Sequence, residues 1–236
     1  MDISTAGLDA KDAYKLLIGS IIPRPIAWIS TVSTTGIGNL APVSFFTCVG
    51  RKPPRISLSM QPKSDGVTLK DSFVNIRDTG EFVTNMATLP QALAVHRSAI
   101  EFEPDVDEFD AVGVDKVASS LVTPPRIAGA PVALECKVAQ IFSSPEGLNH
   151  IVWGEVVSFH VRDDLYVNGR IDFGAVAPIG RLAAEYTVVD NAFVPPLDAD
   201  VVADLTSRRM TRLDRRGEEY SAVDSSSFSA SGAVAE

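Results

Sequence analysis

The chain is poor in the residues that mark metal and disulfide sites. Its 236 residues include two cysteines, Cys48 and Cys136, and three histidines, His96, His150 and His160. There is no Cys-x-x-Cys pair and the histidines lie far apart, so the pattern gives a metal centre no support. Both cysteines sit in apolar, strand-like runs and are expected to be buried free thiols of a reducing compartment. No apolar run approaches the ~20 residues of a membrane span. The first residues show no charged segment leading into an apolar one, so no export signal is expected and the location reads as cytoplasmic. Basic residues are also in the minority, with 21 Lys and Arg against 30 Asp and Glu and a net charge of -9. Such a surface repels phosphate backbones and anionic membranes, which argues against nucleic-acid and membrane partners but leaves room for a local basic pocket around one small phosphate. Familiar hydrolytic signatures are missing too: no GxSxG elbow, no P-loop, no HExxH and no close carboxylate pair for glycoside hydrolysis. Redox chemistry carried by a bound cofactor becomes the more attractive class.

What is present suits a β-rich domain. Hydrophobic residues make up 45% and charged residues 22%, enough for a sizeable core and too ordered a mix for a disordered chain. The apolar content supports one domain over residues 1–197. A polar extension follows at 198–236, with its last ~15 residues expected to be disordered. Residues 9–18 read as a helix capped by Asp9 and stopped by Gly19. Pro23 and Pro25 then force extended backbone. Residues 26–33 and 41–49 read as a hairpin, followed by a strand at Arg55–Met60 with serines alternating against apolar residues. Leu69, Phe73 and Ile76 share one face of a helix over 69–78 that Thr79 and Gly80 end. A short strand at 81–87 and a helix at 89–98, with Leu89 and Leu93 inward, come next. Residues 101–131 have no sustained period and read as an excursion that covers something. Two long alternating runs, 132–142 and 150–161, complete the set. Strands in succession, without a helix after each, favour a mainly β barrel with short helices over a doubly wound parallel sheet.

Four constellations carry chemistry. The first is the hairpin Pro23–Phe46, where Ser30, Thr31, Asn39 and Ser44 sit beside apolar positions and suit a flat, polar-edged ligand. Its Gly36-Ile37-Gly38-Asn39-Leu40-Ala41 matches a dinucleotide fingerprint in letters only. The turn leads into Pro42, Val43 and two phenylalanines, a strand rather than the helix that would hold a pyrophosphate. The second is Lys63-Ser64-Asp65 with Lys70-Asp71-Ser72 at a helix start. It reads either as a phosphate site or as a solvated helix start capped by Asp65 or Asp71. The third is Asn149–Val156, where His150 sits at a strand mouth, either near a ligand or as a structural histidine. By parity His160 falls on the same strand face, and Gly154 suggests a bulge or a close approach. The fourth is Arg181 beside Gly180, then Tyr186, either an anion contact with a ring to stack or two ordinary surface residues.

Taken together, the motifs PRPIAWIST (23–31), NLAPVSFF (39–46), Lys70-Asp71-Ser72 with Asn75-Ile76, GEFVTN (80–85), HIVWGEV (150–156) and IGRL with Tyr186 occur in the order seen in a known family. Over roughly residues 10–195 the chain resembles the flavin reductase-like proteins with an FMN-binding split β-barrel, in the branch associated with flavoprotein oxygenases. The resemblance implies a homodimer that binds FMN non-covalently. It implies that Ser30, Thr31, Asn39, Ala41, Pro42, Val43, Ser44 and Phe45 line the ring and ribityl groups. Ser59, Lys63, Lys70, Asp71 and Ser72 would lie around the phosphate, and Arg181 and Tyr186 match a late GR…Y motif. His150 takes the place of a histidine set near flavin or nicotinamide and is the catalytic candidate. Ala183 and Ala184 stand where glycines are common, which narrows the expected cleft.

The implied function is hydride transfer from NADH or NADPH to FMN, with reduced flavin supplied to a partner monooxygenase. Two alternatives stand beside it: a flavoenzyme that retains FMN and acts directly on a small organic substrate, and a non-catalytic, flavin-binding dimeric module. Hydride transfer needs no acid–base triad, only nicotinamide C4 held ~3–3.5 Å from flavin N5. That accounts for the absence of a catalytic signature.

Overall fold

The computed structural model of the protein describes residues 1–215. Seven strands form one antiparallel sheet: β1 (Ala27–Val32), β2 (Gly38–Val43), β3 (Phe46–Arg51), β4 (Pro54–Met60), β5 (Glu81–Met86), β6 (Val132–Ser143) and β7 (His150–Val161). Their order across the sheet is β2-β1-β5-β6-β7-β4-β3. The two edge strands, β2 and β3, are therefore consecutive in sequence, and only Ser44 and Phe45 join them. A link this short spans at most ~3.3–3.6 Å per residue. The sheet must curl until its edges meet there, making a barrel that closes covalently at one seam and lacks a continuous ladder across it. A separate three-stranded sheet joins Arg24–Pro25, Ile179–Arg181 and Tyr186–Val188.

The helices fit this frame. α1 (Ala10–Ser20) is capped as expected, with Asp9 accepting from the Asp12 amide at 2.7 Å. It runs through Gly19 rather than stopping there; the end comes at Ile21, just before the prolines. α2 (Asp71–Thr79) ends on Gly80 at φ 73°, the left-handed turn that glycine adopts without strain. It plugs the barrel: Phe73 and Ile76 join Ile29, Leu58, Phe82 and Val152 in the interior. Each such apolar side chain contributes roughly 1.5–3 kcal/mol when fully buried. A second apolar cluster lies outside the sheet, where Trp28 and Leu40 meet Val95 of α3 (Ala92–Arg97) and Phe109 of α4 (Glu108–Val112). α5 (Ala199–Ser207) lies within the polar extension and buries no residue. The end of that extension, read above as disordered, lies outside the described residues. No helix among the described residues is long and apolar enough to cross a membrane.

Several expectations are corrected. The strand expected over 41–49 is two strands, broken at Ser44–Phe45, because the chain changes from one edge of the sheet to the other. Leu89 and Leu93 are 48% and 63% exposed. The 3-10 turn Leu89–Gln91 shifts the phase of the helix so that Val95 points inward instead. Cys136 is buried, but Cys48 is exposed on the edge strand β3. His160 does not share a face with His150. Val156 pairs with Cys136 and Ser158 with Glu135, so Val157 is an extra residue, and this bulge reverses the alternation before His160. Gly154 is a close approach: a Cβ there would lie 2.3 Å from the Phe82 ring.

Candidate active site

A cleft opens at the barrel seam. One wall is apolar and comes from β2 and the link that closes the barrel: Ala41, Pro42, Val43 and Phe45, with Met60 across from them. Asn39, Ser44 and Ser59 add polar groups to the same lining, and Lys63, Lys70, Asp71 and Ser72 supply its far end. Eleven of the residues proposed from sequence for flavin binding thus meet in one cleft, although they come from β2, β4, the loop after it and the start of α2. Tyr14 of α1 and the Ser98–Phe102 segment complete its walls.

The floor is a chain of buried polar groups. Ser72 Oγ donates to Asn39 Oδ1 at 2.7 Å, Thr31 Oγ1 to the same oxygen at 3.2 Å, and Asn75 Nδ2 to Thr31 at 3.0 Å. Asn39 Nδ2 in turn donates to Glu108 Oε1, while the Leu40 amide donates to Glu108 Oε2 at 2.8 Å. Burial pushes the Glu108 carboxyl up to about 7, against the pull of these two donors. Buried polar groups this well satisfied hold one arrangement. Asn39 and Ser72 are therefore positioned before any ligand arrives.

Charge collects at the far end. Lys63 Nζ pairs with Asp71 Oδ2 at 2.8 Å. Lys70, at the N-cap of α2, forms no ion pair among the described residues, and withdrawal from solvent lowers its pKa below the usual lysine value. Asp65 does not cap α2; it accepts from the amides of Val67 and Thr68 at 2.9 and 2.8 Å and braces the loop that carries Lys63. The amides of Asp71 and Ser72, the first two of α2, have no intrahelical acceptor, whereas that of Phe73 already donates to the Lys70 carbonyl at 2.9 Å. A withdrawn, unpaired ammonium beside open helix amides is suited to an anion such as phosphate, and the apolar wall beside it is suited to a flat ring. The residues present fit FMN.

The remaining candidates lie elsewhere. Ser30 is fully buried, its hydroxyl donating to the Pro125 carbonyl. Thr31 belongs to the buried floor network and does not line the cleft itself. Arg181 stacks over the Tyr186 ring at 4.5 Å in the small sheet. His150 packs its ring on Phe73 at 3.9 Å, with Nδ1 2.9 Å from Ser143 Oγ. Its Nε2 is buried without a partner among the described residues. Glu108, Glu101 and Tyr14 line the cleft without having been proposed. No period or motif in the 101–131 stretch singles Glu108 out, and the signal beside it is Asp107, an N-cap residue that marks a helix start.

A seam-split antiparallel barrel whose cleft pairs an apolar wall with lysines is suited to a flat ring that carries an anion. Residues 18–175 match the family described as flavin reductase like domain, and the chain belongs to that family. An uncharacterized protein of Aquifex aeolicus (strain VF5) is 37% identical over 189 residues, covering 80% of this chain and 95% of the relative. Among solved structures, nitrilotriacetate monooxygenase component B from Bacillus cereus superposes with a TM-score of 0.78 at 32% identity, over 83% of this chain and 98% of that one. The 2-nitrobenzoate 2-nitroreductase of Pseudomonas fluorescens superposes with a TM-score of 0.74 at 28% identity, over 84% and 97%.

Proposed function

We propose that the protein binds FMN in the seam cleft and acts as an NAD(P)H-dependent flavin reductase, with a monooxygenase as recipient of the reduced flavin. The observation that carries this reading is Lys70, a desolvated cation with no ion pair among the described residues, in a cleft that also has an apolar wall. Ala41, Pro42, Val43 and Phe45 hold the ring face, Ser44 meets its polar edge and the ribityl chain, and Ser59, Lys70 and the start of α2 hold the phosphate. Lys63, tied to Asp71, orients that end. The bound flavin supplies the chemistry, accepting hydride from a nicotinamide and passing electrons on. The protein binds it, orients it and excludes water. His150 is assigned no contact with the flavin of its own subunit. A homodimer belongs to this reading, supported by the family and by Leu16, Leu17, Ile21 and Ile22, each 43–56% exposed on and just after α1. A cytoplasmic location belongs to it as well, in keeping with two free cysteines.

The likeness to a monooxygenase component supports the recipient. The likeness to a nitroreductase favours a second reading, in which FMN is retained and a small organic substrate is reduced directly. Anaerobic addition of NADH or NADPH to FMN-loaded protein should bleach the flavin band near ~450 nm. A band that persists with both nicotinamides overturns the reductase reading. Retention of FMN through gel filtration, with little turnover of free flavin, selects the second.

A further inference from the structure

We propose that Glu101, clasped to Ser64 across the mouth of the cleft, is a specificity residue that admits a flavin mononucleotide and rejects a flavin dinucleotide. This rests on the FMN reading above and extends it to the choice between phosphorylated flavins. Two segments flank the phosphate end: the loop that carries Lys63, and the Ser98–Phe102 segment. They are tied to each other across 37 residues of sequence, with the Ser64 amide donating to Glu101 Oε1 and the Ser64 hydroxyl to Glu101 Oε2, both at 2.7 Å. The loop is braced from within, since Asp65 accepts from Val67 and Thr68, and the Lys63 amide donates to the Thr68 carbonyl at 2.7 Å. The clasp thus joins a loop braced by its own hydrogen bonds to the opposite wall, and on this proposal it stands in the way of a second phosphate and a nucleoside.

Charge acts in the same direction. One lysine of the pair, Lys63, is already matched by Asp71, which leaves Lys70 for a single phosphate. Glu101 is the carboxylate whose field acts most strongly on Lys70. A monophosphate bound at Lys70 keeps its free oxygens toward solvent. A pyrophosphate would drive its second anionic group against the Glu101 carboxylate, and like-charge contact of this kind discriminates between ligands.

The test is flavin binding followed by fluorescence quenching, with FMN, FAD and riboflavin titrated separately into wild type, Glu101→Ala and Glu101→Gln. Melting temperatures check that each variant is folded. Wild type is expected to bind FMN at least about tenfold more tightly than FAD. Glu101→Ala, which loses clasp and charge, should raise FAD affinity about tenfold while riboflavin affinity stays within about twofold. Glu101→Gln keeps an acceptor for Ser64 and should recover only the part due to charge. An FMN-to-FAD preference unchanged in both variants, or a wild type that binds FAD as well as FMN, overturns the assignment and leaves the FMN reading standing. Failure of wild type to bind any of the three overturns both.

Discussion

Lys70 and His150 are both withdrawn bases, and they occupy opposite situations. Lys70 faces a cleft with open amides beside it and no carboxylate paired to it. His150 lies flat on Phe73, within the packing that fills the barrel, with Ser143 on one ring nitrogen. Desolvation lowers the pKa of each. For Lys70 the missing partner is one a ligand can supply. For His150 much of what surrounds the ring is protein already. Burial of a titratable group is thus a weak guide to a site, and burial facing an open, shaped cleft is a stronger one.

This contrast can be broken. The largest effect is expected from Asn39→Ala, which leaves Ser72, Thr31 and Glu108 without their shared partner. Loss of about 3 kcal/mol of stability should follow, read from urea midpoints. A midpoint equal to wild type would mean the cleft floor is not held by this network. Next comes Lys70→Ala, which should weaken FMN binding about 10- to 100-fold and leave riboflavin binding nearly unchanged, because only the phosphate contact is lost. Equal losses for both ligands would move the phosphate elsewhere. His150→Ala should reverse the balance, costing about 1–2 kcal/mol of stability through the lost ring contact with Phe73 while FMN affinity stays within about twofold. If its FMN affinity falls more than that of Lys70→Ala, the comparison fails.

The smallest effects are in pH, and their signs differ. Glu108 is raised from 4.5 to about 7 in the folded chain, so its contribution to stability is fully present below 4.5 and is lost as pH rises through about 7. The same ionisation places a negative charge near the proposed phosphate site, so FMN affinity should fall a few-fold across that range. Glu108→Gln should flatten the fall. A slope identical to wild type would remove Glu108 from it. His150 is lowered from 6.5, so its contribution is present above 6.5 and is lost as pH falls through the depressed value. His150→Ala should therefore be less sensitive to mild acid than wild type, measured as the change in melting temperature.

Much of the local structure was legible. Asp9 caps α1, Gly80 ends α2, Phe73 and Ile76 face inward, and Gly36 turns the hairpin at φ 90°. These depend on neighbours within a few residues. The misreadings at Ser44–Phe45, Leu93, Cys48 and His160 share a cause. Each depends on a long-range choice: a strand changing sheet edge, a 3-10 turn shifting a helix, an edge facing solvent, a bulge inverting a face. The cleft was partly legible, because its residues cluster in two short motifs. Glu108 and Glu101 were not, because they reach the cleft from an aperiodic stretch.

The sequence by itself determined the class. Alternating apolar runs without intervening helices favour an antiparallel, mainly β barrel, and the motifs along the chain carry the resemblance to the flavin reductase-like family. Only the tertiary structure decided which polar residues share a cleft. Barrel closure through Ser44–Phe45 brings β2, β4 and the head of α2 together, while packing carries Ser30, His150, Arg181 and Tyr186 elsewhere. The physical reason is that local periodicity sets which face a side chain takes, whereas what that face meets depends on where the sheet closes.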